Sequence, residues 1–308
     1  MSKTREVAKD VFMIDTEMYS IPEFTAVYLL AEDKPALIES GPATSAETVL
    51  AGIRHLGFDP KDIEYVIVTH IHLDHAGGAG TLLSEMPNAQ VLVHPIGAKH
   101  LVDPSRLMAS VRQVQGDKGI ERDGPMVPID QERVKSVMDG EIIELSRDQQ
   151  LTISHTPGHA RHHICIYDSK NKGLFTGDVV GVLSSDENIL IPTTPPPDFD
   201  VDLCIHTVKE LMTLDVEMLL FTHFGVTRKV EWAFQEAVRE VELWDSIVKD
   251  SAQEGNLEKA AELLQQQAAK ELYPIRENKA LYDYQVYDFM PVCAAGYMNY
   301  YQNKKNKP

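Results

Sequence analysis

The stretch Val66-Ile67-Val68-Thr69-His70-Ile71-His72-Leu73-Asp74-His75-Ala76-Gly77-Gly78 constrains this chain more than any other. Three β-branched residues suit a buried strand. They stop abruptly against three histidines and one aspartate. His70 and His72 lie two apart, so on an extended strand end their side chains point the same way. Asp74 and His75 follow where the chain must turn and fold back toward the same point. Imidazole and carboxylate are the ligand types of zinc, manganese and iron. The stretch predicts a strand whose C-terminal end carries a metal centre, with a helix beginning at the two glycines.

The flanking sequence supplies a frame for such a strand. Residues 11–14, 26–30 and 36–38 read as short strands separated by polar turns, an antiparallel meander. A helix follows to Leu56, capped by Thr44 or Ser45, with Val49 and Ile53 at helical spacing and Gly57 as its stop. After the histidines, a helix is expected near 78–86 and a strand over 90–94. Residues 103–140 hold Gly116, Gly119, Gly124, Pro125 and Pro128. That connection is too long for an ordinary turn and reads as a lid or irregular segment. Strands resume at 141–145, 151–155, 164–167 and 173–176. Pro192, Pro195, Pro196 and Pro197 make a stiff linker barred from a central strand. A helix over 201–214 leads to a last strand at 218–222. Helical periodicity then runs through Phe234, Val238 and Val241, and again through Leu257, Ala261, Leu264 and Ala268. The aromatic-rich segment 281–301 suits core packing, a pocket wall or a homodimer interface.

Charge narrows the partners. Against 29 basic residues stand 47 acidic ones, a net charge of -18. That opposes general affinity for nucleic acid or an anionic membrane, where basic side chains must displace counterions. A small-molecule substrate is the expected partner. The first ten residues lack an apolar core, so no signal peptide is expected. No apolar run approaches the length of a bilayer span. Cys165, Cys204 and Cys293 are scattered and odd in number, as expected of reduced thiols in a cytoplasmic protein.

Several later strands also end in a ligand type. Thr156-Pro157-Gly158-His159 turns sharply and thrusts His159 outward. Thr176-Gly177-Asp178 and Thr222-His223-Phe224-Gly225 close two more strands. Each alone is weak, since strand-end His and Asp are commonly turn residues. Joined to the first cluster they make seven ligands, enough for two ions sharing one carboxylate.

His-x-His-x-Asp-His, Thr-Pro-Gly-His, Thr-Gly-Asp and Thr-His, in that order over about residues 10–226, resemble the metallo-β-lactamase superfamily. The resemblance implies an α/β fold, a four-layer αββα sandwich with the site at one edge. It implies a catalytic domain over 1–226 and a helical extension over 227–308 packed on it. It assigns His70, His72 and His159 to a first divalent ion, and Asp74, His75 and His223 to a second, with Asp178 bridging. Zinc is the first expectation for both ions, iron or manganese the alternatives. A hydroxide held between two such ions is the implied nucleophile, and Asp74 would orient it and shuttle its proton. No Ser or Cys nucleophile is signalled. Asp178 stands where some β-lactamases carry a cysteine, so the chain is more similar to glyoxalase II-like thioesterases, lactonases, phosphodiesterases and nucleases. The helical tail resembles that of glyoxalase II, without its glutathione-binding residues.

The expectation is a dinuclear metal-dependent hydrolase of a small ester, thioester or lactone. The alternatives are a phosphodiesterase or nuclease, or a mononuclear-iron enzyme like persulfide dioxygenase. Two departures stand out. His162 replaces a glycine, with His163 in the place of the family's next histidine. Glu39, in Ile38-Glu39-Ser40-Gly41, replaces the usual aspartate, which leaves its supporting role open. His155 and His163 read as supporting hydrogen-bonders. His55, His94, His100 and His206 read as structural or exposed, and Arg276 and Lys279 as solvated charges.

Overall fold

A computed structural model describes residues 3–184 and 188–306. In chain order the elements begin with β1 (Thr4–Ala8), β2 (Val11–Asp15), β3 (Ala26–Leu30), β4 (Ala36–Ile38) and α1 (Ala46–His55). The metal stretch contributes β5 (Tyr65–Ile67), α2 (Leu73–Ala76) and α3 (Ala79–Leu82). Then come β6 (Gln90–Val93), α4 (Pro95–Val102), α5 (Ser105–Asp123), β7 (Val134–Ser136), β8 (Ile142–Glu144), β9 (Gln150–His155), β10 (Ile164–Asp168) and β11 (Gly173–Phe175). The remainder is β12 (Val182–Ser184), β13 (Ile189–Ile191), α6 (Val201–Leu211), β14 (Met218–Phe221), β15 (Gly225–Thr227), α7 (Val230–Glu254), α8 (Leu257–Glu271), α9 (Lys279–Asp283) and α10 (Met290–Asn306). These gather into two compact units. The first holds residues 1–155, 162–177 and 216–226; the second holds 156–161, 178–215 and 227–308.

The first unit is built on two sheets. One runs β1-β2-β3-β4-β5-β6-β7, and the other β15-β14-β11-β10-β9-β8. The expected meander forms β2 to β4, and β1, not foreseen from sequence, adds a further antiparallel strand before it; β4 to β7 are parallel. Alternation explains why β3 is apolar throughout. Val27 and Leu29 join the core shared with Val49 and Ile53 of α1 and Leu82 of α3. Ala26, Tyr28 and Leu30 face the other way, packing with Ile153, Ile166, Phe175 and Leu220 of the second sheet. A strand covered on both faces needs apolar residues at every position.

Two expectations change here. The segment 103–140 is not irregular: it carries α5, broken at Gly116 (φ 71°, ψ -175°), and then β7. Its glycines argue against a helix, yet Leu107, Met108 and Val111 pack on the helical layer. The single helix expected over 78–86 is instead α2 and α3, so Asp74 and His75 ride on a helical turn. A side chain at Gly78 would meet the carbonyls of Ser40 and Gly41 at 2.9 and 3.0 Å. Only glycine lets these two segments approach so closely.

The second unit is mainly helical. Phe234, Val241, Trp244 and Val248 line the buried face of α7, which packs against α6, α8 and α10. The hairpin β12–β13 leads into the proline-rich strap over 192–200. The tail aromatics serve this packing. Tyr297 is buried and donates to Val241 O at 3.2 Å, and Tyr301 donates to Asp245 Oδ1 at 2.6 Å. Among the described residues, no helix is long and apolar enough to cross a membrane.

Candidate metal centre

In the first unit, Asp74, His75 and His223 each place one ligand atom within 4.8 Å of the others. His75 and His223 are buried, while the Asp74 side chain is about a quarter exposed. The carboxylate that organises this group is Glu39. It is fully buried at the end of β4 and takes a left-handed backbone conformation, φ 71°. Its Oε1 accepts from His75 Nδ1 at 2.8 Å, Thr69 Oγ1 at 2.5 Å and Thr222 Oγ1 at 3.0 Å; its Oε2 accepts from Thr69 N at 3.1 Å. Glu39 therefore does take the aspartate's supporting role. Unfavourable backbone geometry of this kind persists where surrounding bonds over-determine it.

These bonds decide where the ring protons lie. A carboxylate and a carbonyl accept only. His75 Nδ1 meets Glu39, and His223 Nδ1 meets Phe24 O at 3.2 Å. Both Nδ1 atoms carry the proton, and both Nε2 atoms carry a lone pair. Those lone pairs face Asp74 Oδ2, from 3.7 Å for His75 and 3.2 Å for His223. The two rings stand edge to face with centroids 5.2 Å apart. Two imidazole nitrogens and a carboxylate oxygen converging this closely are a ligand set of the kind that holds a divalent cation.

His70 is held by the same carboxylate through a relay. The Thr69 hydroxyl gives its proton to Glu39, so it accepts from His70 Nδ1 at 3.0 Å. His70 Nε2 is turned the other way, 2.8 Å from His72 Nδ1. Neither histidine sits on the strand itself, since β5 ends at Ile67. Gly177 (φ 48°) closes the site from β11: a side chain there would meet His163 Nε2 at 2.4 Å and Thr69 Oγ1 at 2.8 Å.

In the second unit, His159 Nε2 lies 3.5 Å from Asp178 Oδ2, both residues buried. His159 Nδ1 donates to Thr193 O at 3.1 Å and Thr193 Oγ1 at 3.0 Å. The tautomer is again the one that turns Nε2 toward a carboxylate.

The surroundings in the first unit include residues that the strand-end motifs do not point to. Phe24 sets its ring 5.8 Å from that of His223 and 5.8 Å from that of Tyr19. The Tyr19 hydroxyl donates to Asp123, at the C-terminal end of α5, and the Arg122 guanidinium lies 4.3 Å over the Tyr19 ring. Burial pushes Asp123 up to about 6; the Tyr19 bond opposes this and the charge of Asp74 adds to it. His162, buried, stacks parallel to His70 at 6.1 Å and stands edge-on to His72 at 5.8 Å.

The remaining histidines are quieter. His94 packs on His155, ring centroids 4.2 Å apart, and burial lowers it to about 4. His155 Nε2 donates to Val137 O at 3.0 Å. His55 and His206 are exposed. Lys279 pairs with Asp283 and Arg276 covers the Tyr273 ring, both at the surface. Glu39, Thr69 and Thr193 are the supporting residues that sequence reasoning left open or missed. Glu39 stood within a motif and Thr69 beside one, whereas Thr193 stood near none.

A sequence model of the metallo-beta-lactamase superfamily matches residues 21–223. The chain is 29% identical over 263 residues to the metallo-beta-lactamase fold-containing protein ST1585 of Sulfurisphaera tokodaii, covering 84% of this chain and 93% of that one. The crystal structure of ST1585 superposes with a TM-score of 0.64 at 27% identity, over 76% of this chain and 86% of that one. The human acyl-coenzyme A thioesterase MBLAC2 is 34% identical over 120 residues, 37% of this chain and 40% of that protein. The hydroxyacylglutathione hydrolase of an Enterobacter species is 27% identical over 165 residues, 53% of this chain and 51% of that enzyme.

Proposed function

Because this chain belongs to the metallo-β-lactamase superfamily, we propose that it is a dinuclear metal-dependent hydrolase of a small thioester, with esters and lactones as the related substrates. Its fold is the superfamily's α/β sandwich, carrying a C-terminal helical extension. His70, His72 and His159 are assigned to one ion, Asp74, His75 and His223 to the other, and Asp178 to both. Zinc is the ion that suits this nitrogen-rich set. Bound there, two such ions would supply Lewis acidity and a water acidified toward neutrality.

The observation that carries the reading is the convergence of His75 Nε2 and His223 Nε2 on Asp74 Oδ2, with both Nδ1 atoms already committed as donors. The protein's own residues then have distinct tasks. Glu39 and Thr69 hold the tautomers of His75 and His70. Asp74, the more exposed carboxylate, holds and moves a proton at Oδ2. Phe24 shields the His223 side from water. The preference for a thioester rests on the likeness to an acyl-coenzyme A thioesterase and a hydroxyacylglutathione hydrolase. Three buried thiols, none of them in a disulfide, suit a reducing compartment, the cytoplasm.

Metal analysis joined to a substrate panel tests this. Two zinc ions per chain with turnover of acyl thioesters is the expected result. One iron per chain with oxygen consumption, or turnover of phosphodiesters alone, would overturn it in favour of a dioxygenase or a nuclease.

A further inference from the structure

The strap after β13 reads in sequence as a stiff linker, yet it carries the residue that orients His159. Thr193 is buried and meets the His159 ring twice, through its carbonyl and its hydroxyl. Its hydroxyl proton goes to the carbonyl of Asp178 at 3.0 Å. With that proton spent, Thr193 Oγ1 must accept from His159 Nδ1, as the Thr193 carbonyl also must. One threonine thus fixes the imidazole tautomer and ties together the segments that bear His159 and Asp178.

The strap itself is held from the other side by the C-terminal helix. Thr194, fully buried, donates to the carbonyl of Cys293 in α10 at 3.2 Å. Gly296, one turn further along, lies so close that an added Cβ would fall 1.7 Å from Thr194 O. The backbone of His159 is anchored separately by α6. Asp200 N donates to Gly158 O at 2.9 Å, and a Cβ on Gly158 would meet Cys204 Cα at 2.5 Å. The main chain of His159 is set by α6, whereas its ring is set by the strap and α10.

We propose that Thr193 is the positioning residue for His159, and that α10, through Gly296 and Thr194, sets the metal affinity of a ligand it does not itself supply. This rests on the assignment of His159 as a metal ligand. Outer hydrogen-bond partners of this kind change metal affinity by about 10–100-fold when lost. Thr193→Val keeps the shape and removes the hydroxyl; the main-chain carbonyl alone then leaves the ring free to pivot. Thr193→Ser restores the hydroxyl.

The test uses the full chain and the metal alone. Zinc affinity is measured by competition with a chromophoric chelator. The cobalt-substituted protein is compared by its visible absorption. The His159 tautomer is read in metal-free protein from its ring 15N shifts. Thr193→Val should weaken one of two zinc ions about tenfold and alter the cobalt spectrum while the main-chain carbonyl keeps His159 Nδ1 protonated, and Thr193→Ser should recover both. Gly296→Ala should weaken the same ion while His159 Nδ1 remains protonated. Unchanged affinity and spectrum in Thr193→Val would overturn the positioning role even with wild-type protein holding two ions. Wild-type protein that takes up no zinc would overturn the ligand assignment and this inference with it.

Discussion

Replacing Glu39 by Gln is the sharpest single perturbation of the site, because the change is isosteric and the bonding is fully enumerated. Glu39 receives protons from Thr69 N, Thr69 Oγ1, Thr222 Oγ1 and His75 Nδ1. A glutamine offers one oxygen and one NH2. With its oxygen at the Oε1 position, the NH2 faces the main-chain N–H of Thr69, donor against donor at about 3.1 Å. Turned over, the NH2 faces His75 Nδ1, which can accept only if the ring proton moves to Nε2, the atom assigned to the metal. Neither orientation satisfies every group. The first loses the charge from three bonds and strands one buried N–H, together about 3–5 kcal/mol of stability. The second costs less stability but takes His75 away from the metal. In both cases metal affinity falls by about 10–100-fold. Urea unfolding of chelator-treated protein gives the first quantity, and zinc competition gives the second. Glu39→Asp should fare no better, although aspartate is the residue the superfamily pattern leads one to expect. Its carboxylate sits about one C–C bond, ~1.5 Å, further back, out of reach of His75. A Glu39→Gln protein within 0.5 kcal/mol of wild type, with affinity unchanged within twofold, would refute this account of the site.

Two further predictions concern packing and pH. Gly177→Ala should cost about 2–4 kcal/mol in chemical unfolding, since its backbone is left-handed and its Cβ would press on His163 and Thr69; a loss under 0.5 kcal/mol would count against the close approach. In the helical unit, burial and the neighbouring Glu271 push the Glu240 carboxyl up, against the pull of Arg239. A carboxyl with a raised native pKa binds extra protons in the folded state, so stability falls as pH rises through the native value. The wild-type Tm should fall as pH rises from about 4.5 to about 8 and level off above that, and Glu240→Gln should flatten that fall; parallel curves for the two proteins would exclude Glu240 as its source.

Legibility followed the distance between a residue and its task. His70, His72, Asp74, His75, His159, Asp178 and His223 announce themselves as candidates because a ligand-type residue at a strand end breaks an apolar run within a few positions. The strand at β3 is plain from five consecutive apolar residues, whereas its burial on both faces shows only in the packing of the two sheets. Thr193 was hidden because its partner lies 34 residues away and its neighbours are prolines, which speak of stiffness and not of hydrogen bonding. Glu39 was half visible: its position matched a pattern, but only the paths from Thr69 and Thr222 show that a longer side chain can reach. The helix α5 was obscured by composition. Gly116 and Gly119 lower its propensity, and an exposed helix with a thin apolar face leaves little periodicity to find.

The supporting bonds also rank the two assigned ions. The set of Asp74, His75 and His223 includes a carboxylate that belongs to it alone, and His75 in that set is backed directly by the Glu39 carboxylate at 2.8 Å. A charged partner on Nδ1 raises the basicity of Nε2 more than a neutral one. The set of His70, His72 and His159 is supported by hydroxyls and a carbonyl instead: Thr69 behind His70 and Thr193 behind His159. The first of these sets should therefore hold its ion more tightly. Stepwise chelation of the zinc protein should release one ion early and leave the second bound to Asp74, His75 and His223. Asp74→Ala should erase the late step, and Thr193→Val should move only the early one. Release of both ions in a single step, or a late step that follows Thr193 and ignores Asp74, would show that the charge of Glu39 does not govern the order.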